Sequence, residues 1–175
     1  MPRAVDEARV RAFLDALARA TTAPATVYLV GGATAVTIGW RDSTIDIDLV
    51  LEPEDEGAIR ALPRLKIDLQ TNVELASPLD FLPELPGWRE RSPFVAQVGR
   101  LTIRQFDPYA QVLAKLERGF GRDQLDVRAM LDRGLVDPVR LLELFDSIAD
   151  QLYGFPSVDA EGLRALVLDL GVTPG

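Results

Sequence analysis

The 175-residue chain contains no cysteine and no histidine. A disulfide frame, a thiol nucleophile, a Ser-His-Asp triad and a Cys/His zinc site are therefore all impossible. Any bound metal must sit on oxygen ligands, the set that suits Mg²⁺, Mn²⁺ or Ca²⁺. Proton transfer falls to Asp, Glu, Lys or Tyr, or to metal-bound water. Long apolar runs are lacking too, and none approaches the roughly 20 residues that span a bilayer. The first residues, Met1-Pro2-Arg3-Ala4-Val5-Asp6-Glu7, carry no apolar signal-peptide core. The expectation is a cytoplasmic protein with no membrane partner.

Positive charge is scarce. The chain has 19 basic and 27 acidic residues, a net charge of −8, which on average repels long duplex nucleic acid. The distribution is uneven: residues 86–133 carry a net +3, residues 1–85 a net −6 and residues 134–175 a net −5. The basic segment reads either as solvated helix faces or as a local surface for phosphates or RNA. Arg89, Arg91, Arg100 and Arg104 are the residues there that a phosphate-bearing partner would meet first.

The hydrophobic pattern changes character along the chain. Residues 6–20 space Val10, Phe13, Leu14, Leu17 and Ala18 on one helical face, with Asp6 as N-cap. Residues 26–30 read as a strand ended by Gly31-Gly32, and 33–39 as a short helix. Residues 45–51 alternate, with Ile45, Ile47, Leu49 and Leu51 on one side and Asp46 and Asp48 on the other. A helix over 54–62 and a strand over 73–76 follow, the latter with Val73 and Leu75 opposite Glu74. A proline-rich connection holds Pro78, Pro83, Pro86 and Pro93 and has the length of a functional loop. Strands over 94–98 and 101–106 come next. Asp107-Pro108 and Asp137-Pro138 are helix-start signals, and 107–175 reads as all helical. The expectation is an α+β protein: an α/β core over 1–106 with a small mixed sheet and flanking helices, then a C-terminal helical bundle over 107–175 packed as one unit with it.

One stretch carries chemistry. Asp46 and Asp48 lie two apart on a strand, so their carboxylates share a face about 7 Å apart. Strands disfavour Asp, and the pair reads either as a solvent-facing strand side or as a cation site. Gly31-Gly32 follows a strand and precedes a helix. It reads either as a turn that needs positive φ or as a backbone cradle for phosphate. Together the two parts describe a phosphate cradle beside two carboxylates, a layout suited to metal-assisted transfer of a nucleotidyl or phosphoryl group.

Residues 29–51 resemble the signature of the minimal nucleotidyltransferase superfamily, the fold of DNA polymerase β and CCA-adding enzymes. The pattern is a hydrophobic residue, Gly, Gly or Ser, a gap, then Asp-x-Asp, met here by Gly31, Gly32, Asp46 and Asp48. Gly32 stands where many members have Ser, leaving Thr34, Ser43 or Thr44 to supply the hydroxyl. The third carboxylate of the group has two candidates, Glu74 and Asp68, of which Glu74 is favoured. Asp107-Pro108-Tyr109, Lys115, Arg118, Arg122-Asp123 and Asp126 resemble the helical half of toxin-type nucleotidyltransferases related to AbiEii and MenT. A salt-bridged helix pair is the alternative for these residues.

The resemblance implies transfer of an NMP group from an NTP to an acceptor hydroxyl, on an RNA 3′ end such as that of tRNA or on a protein side chain. Asp46, Asp48 and Glu74 would hold Mg²⁺ or Mn²⁺. Lys115 and Asp126 would contribute to activity. Gly31, Gly32, Thr34, Arg41, Ser43, Thr44, Lys115 and Arg118 would contact nucleotide. It also implies a possible cognate toxin or antitoxin partner. The rival expectation is a non-catalytic antitoxin or partner-binding protein of the same fold.

Overall fold

The computed structural model describes residues 3–172. Among these, the strands are β1 (Ala25–Val30), β2 (Asp46–Glu52), β3 (Asn72–Leu75), β4 (Phe94–Val98) and β5 (Leu101–Gln105). The helices are α1 (Glu7–Ala20), α2 (Gly32–Ile38), α3 (Glu56–Asp68), α4 (Trp88–Arg91), α5 (Pro108–Arg118), α6 (Gly121–Asp132), α7 (Pro138–Ile148) and α8 (Ala160–Leu170). The architecture is α+β, with one mixed five-stranded sheet in the order β3-β2-β1-β5-β4. The chain forms two compact units. The first holds the chain up to Ser77 and Ser92–Phe106; the second holds Pro78–Arg91 and the chain from Asp107 onward.

In the first unit, β1 pairs antiparallel with β2 and parallel with β5, while β2 pairs parallel with β3. β4 closes the other edge antiparallel to β5, with a bulge between Phe94 and Ala96. One sheet face carries Val27, Leu29, Ile47, Leu49, Leu51, Val73, Leu101 and Ile103, buried with Phe13, Leu14 and Leu17 of α1 and Ala58 and Leu62 of α3. Alternating strands and amphipathic helices let this surface leave water, which stabilises the unit by roughly 25 cal/mol per Å² of apolar area. Asp6 caps α1 by accepting from the Arg9 N–H at 2.9 Å.

Three expectations need correction here. β2 begins at Asp46, and Ile45 is 59% exposed instead of joining the buried side. The ladder to β3 starts at Asp46↔Asn72, so Ile45 lies one residue before the first paired position. α3 does not stop at 62 but runs to Asp68 through Pro63, which lacks only the one N–H that would have bonded the Ile59 carbonyl. Leu75, at the end of the short edge strand β3, is half exposed rather than packed like Val73.

Asp55 anchors α3. Its carboxylate accepts from the Ala58 N–H at the helix start, from the Thr22 N–H and hydroxyl, and from the Ala23 N–H. Those bonds, the Thr22 hydroxyl first, hold its pKa far below the usual carboxylate range.

In the second unit, the proline-rich segment is not an open loop. It contains a short 3₁₀ turn (Pro78–Asp80) and α4, and it buries Leu82, Leu85 and Trp88. α5, α6, α7 and α8 follow, with a second 3₁₀ turn (Ala149–Gly154) between α7 and α8. Asp107 and Asp137 cap α5 and α7, each followed by Pro at the first helical position. Asp107 is fully buried and takes both the Nε and Nη2 of Arg91, at 3.1 and 2.6 Å. Burial pushes its pKa up, and the Arg91 bonds and charge only partly oppose that.

Candidate active site

The sheet register assembles the first constellation. Asp46 pairs with Asn72 and Asp48 with Glu74, while Val30, the residue before Gly31, pairs with Asp48. Cross-strand partners share a face, so Asp46, Asp48 and Glu74 stand together on the face opposite the apolar core. Both aspartates are half-buried and Glu74 is exposed. Asn72 sits among them. Its Nδ2 donates to Asp46 Oδ1 at 2.8 Å and to Glu74 Oε1 at 3.2 Å.

Asp68 lies elsewhere. It is the last residue of α3 and accepts from Arg64 one helical turn back, at 3.3 Å. The alternation around it belongs to a helix end, not to a strand.

The glycine turn lies against this face. Gly31 has φ +60° and ψ −124°, a backbone region that favours glycine. A Cβ built there would stand 3.4 Å from Asp48 Oδ2. A Cβ at Gly32 would stand 2.0 Å from Thr44 Oγ1 and 2.7 Å from Thr44 Cβ. Thr44 thus occupies the space that a side chain at position 32 would need, and its hydroxyl lies where a serine side chain at that position would begin. Thr44 is fixed by a two-way backbone bridge to Val5, at 2.7 and 2.9 Å. Thr34 does not play that part: it is buried and its hydroxyl donates to the Leu29 carbonyl at 3.0 Å. Ser43 is exposed. Arg41 follows α2, its backbone N–H donating to the Ala35 carbonyl at 3.3 Å.

The donor set here is all oxygen, which fits a hard divalent cation. Among the described residues no group of three or more Asp or Glu is placed to hold a metal ion. Asp46 and Asp48, two apart on one strand face, could supply two of the oxygen ligands that such a cation takes.

The second constellation lies wholly within the helical unit. Lys115 on α5 is buried, and its Nζ donates to Asp126 Oδ2 of α6 at 2.8 Å and lies 3.5 Å from Asp123 Oδ1. Arg118 Nε and Nη2 bond Asp123 at 2.9 and 2.5 Å. Burial works to raise the Asp123 pKa; the Arg118 bonds and the charges of Lys115 and Arg118 outweigh it, leaving the carboxylate below its ordinary range. Two cations and two anions make the group neutral. Lys115 is thus held as part of a buried ion-paired group between α5 and α6.

The basic segment changes meaning in three dimensions. Arg91 is tied to buried Asp107, Arg100 donates to the Thr22 carbonyl, Arg104 to the Ser92 carbonyl at 2.9 Å, and Arg89 pairs with Glu84 at 3.1 Å while covering the Trp88 ring. Arg122 and Arg128, in contrast, are exposed on α6 on either side of Leu125. The sequence held a signal for them, the i, i+3, i+6 spacing with an apolar centre. Asn72 gave a weaker one: it alternates with Glu74, but its partner Asp46 is visible only from the register.

No protein-family model, curated protein or solved structure matches the chain. Among the described residues no helix is long and apolar enough to cross a membrane.

Proposed function

We propose that this chain is a metal-dependent nucleotidyltransferase that moves an NMP group from an NTP to an acceptor hydroxyl. The observation that carries the reading is the sheet face itself. Asp46 and Asp48 share it with Glu74, and a glycine turn that tolerates no side chain lies against Asp48. The strand order with β1 between β2 and β5 supports a nucleotidyltransferase fold by placing the turn after β1 beside the paired aspartates.

In this reading Asp46 and Asp48 hold Mg²⁺ or Mn²⁺, which when bound neutralises phosphate charge. The glycine turn at Gly31 lets the triphosphate lie close to the backbone, and the Thr44 hydroxyl, which fills the space beside Gly32, faces it in place of a side chain at position 32. Glu74, the exposed carboxylate of the three, takes the proton from the acceptor hydroxyl. The acceptor oxygen then bonds to the α-phosphorus, the bond from that phosphorus to the bridging oxygen breaks, and pyrophosphate leaves. Arg122 and Arg128 offer exposed positive charge to an RNA acceptor.

A second reading has a specific observation in its favour. Phe120 and Leu125 are 63% and 73% exposed beside Arg122 and Arg128, the aromatic, aliphatic and arginine mixture of protein interfaces. It describes a non-catalytic protein that binds a partner, such as a toxin, through α6.

The deciding experiment is incubation with each labelled NTP and Mg²⁺, with total RNA and with lysate protein as acceptors. The transferase reading expects label on one acceptor class, lost in Asp46→Asn with Asp48→Asn. It expects Glu74→Gln to spare Mg-NTP binding and stop transfer, and Asp68→Asn to leave both intact. Absence of Mg-NTP binding by calorimetry would leave the partner-binding reading.

A further inference from the structure

Two helices of the second unit turn faces of opposite charge to solvent. α6 buries Asp123, Asp126, Val127 and Met130. Its far side carries exposed Leu125, with exposed Arg122 and Arg128 one helical turn to either side. α8 buries Leu163 and Val167. Its far side carries Glu161, Leu168 and, just past the helix, Val172, at i, i+7 and i+11 along one stripe, with Asp169 beside them. All four are exposed. α6 and α8 both pack on α5, and the exposure of these two faces means that neither covers the other within one chain.

The charges on both faces are uncompensated. Arg91, Arg118, Arg140 and Arg164 of the same unit each sit against a carboxylate. Arg122, Arg128, Glu161 and Asp169 have no ion-pair partner among the described residues. Asp132 ends α6 on its outer side, and Arg164 on α8 is held by Asp146. One face is therefore cationic around a leucine and the other anionic around a leucine and a valine, on helices of 12 and 11 residues. RNA would answer the arginines alone and leave the α8 face without a partner. A second copy of this chain answers both.

We propose that the chain assembles head to tail, α6 of one copy lying on α8 of the next. Leu125 packs against Leu168 and Val172, and the two arginines meet Glu161 and Asp169. Contact between unlike faces is heterologous, so each added copy leaves a face open for another until a ring closes. The apolar residues supply the burial and the charges set the orientation. The match in sign lets molecules of net charge −8 meet at this point. The proposal stands apart from the transferase reading. A copy seated on α6 covers Arg122 and Arg128 and so competes with RNA there.

The test is sedimentation velocity of the full chain over a wide range of concentration, with nucleic acid removed beforehand and the folding of each variant checked by circular dichroism. The wild type is expected to sediment faster as its concentration rises, and less so at high salt. Arg122→Glu with Arg128→Glu is expected to stay monomeric, and so is Glu161→Arg with Asp169→Arg, because each pair sets like charges across the contact. The chain carrying all four reversals is expected to assemble again, a recovery that damaged folding or a lost RNA site does not produce. Leu125→Ser and Leu168→Ser leave the charge untouched and serve if a reversal does not fold; each is expected to weaken assembly about tenfold. A wild type that is monomeric at every concentration overturns the proposal. Assembly that survives either pair of reversals, as a symmetric contact through one of the two faces would, also overturns it. So does a folded fourfold variant that stays monomeric, or unchanged assembly in both serine variants.

Discussion

Gly32 is held to a hydrogen atom by its neighbour. With Thr44 Oγ1 2.0 Å and Thr44 Cβ 2.7 Å from where its Cβ would stand, Gly32→Ala must push Thr44 away from a position fixed by Val5. Overpacking of this kind costs about 1–3 kcal/mol. Urea denaturation should show that loss in Gly32→Ala and partial recovery in Gly32→Ala with Thr44→Gly. No recovery would mean that Thr44 is not the obstacle. Lys115 and Asp126 make a second prediction at this scale. Removing one partner of a buried ion pair leaves the other uncompensated, at about 3–5 kcal/mol. Asp126→Ala should therefore lower stability by about that amount, while replacing Lys115 and Asp126 together by Met and Leu should cost far less. If Asp126→Ala is as stable as wild type, the pair does not hold the helical unit.

The start of α3 depends on Asp55, which bonds the first turn of the helix and the Thr22-Ala23 backbone at once. Its folded pKa lies below the unfolded value, so its contribution is complete above the unfolded pKa near 3.8 and is lost as the pH falls from there toward the folded value. Asp123 acts in the same direction; Asp107, with a raised folded pKa, acts in the opposite one. Asp55→Asn should melt a few degrees below wild type at pH 7, and the gap should narrow as the pH is lowered below 4. A gap independent of pH would assign the effect to packing alone. The segment Pro78–Arg91 shows how an element can be misjudged by its prolines. Leu82, Leu85 and Trp88 bury it, and Arg91 pins it to Asp107, so Arg91→Ala should destabilise the helical unit before it affects any acceptor.

For the whole molecule, the test is ligand linkage. A ligand that binds only the folded state adds about 2.7 kcal/mol at a hundred times its Kd. Mg-NTP should raise the melting temperature of the wild type by a few degrees and leave Asp46→Asn with Asp48→Asn unmoved. A net charge of −8 repels RNA at long range, but at physiological salt exposed charge acts over about 8 Å, so local arginines can still attract it. Binding of RNA through Arg122 and Arg128 should weaken steeply with salt, and Arg122→Ala with Arg128→Ala should weaken it without changing Mg-NTP binding. Salt-independent acceptor binding would exclude this surface.

Features that depend on neighbours along the chain are legible in the order of the amino acids. Period and caps located α1, α5 and α7, because Asp6, Asp107 and Asp137 bond N–H groups two or three residues away. Alternation put Asp46 and Asp48 on one face of β2, because side chains reverse at each residue of a strand. Features that depend on pairing across the chain emerge only on folding. The β2–β3 register put Glu74 beside Asp48 and Asn72 beside Asp46, and left Asp68 on a helix end with Arg64. Thr44 closing over Gly32 joins residues twelve apart through a bridge to Val5, and the arginines of the basic segment found carboxylates and carbonyls that no local pattern names. Local bonds are fixed by spacing, whereas the partner of a buried or cross-strand polar group is fixed by which surfaces the core brings together, and that is a property of the folded chain.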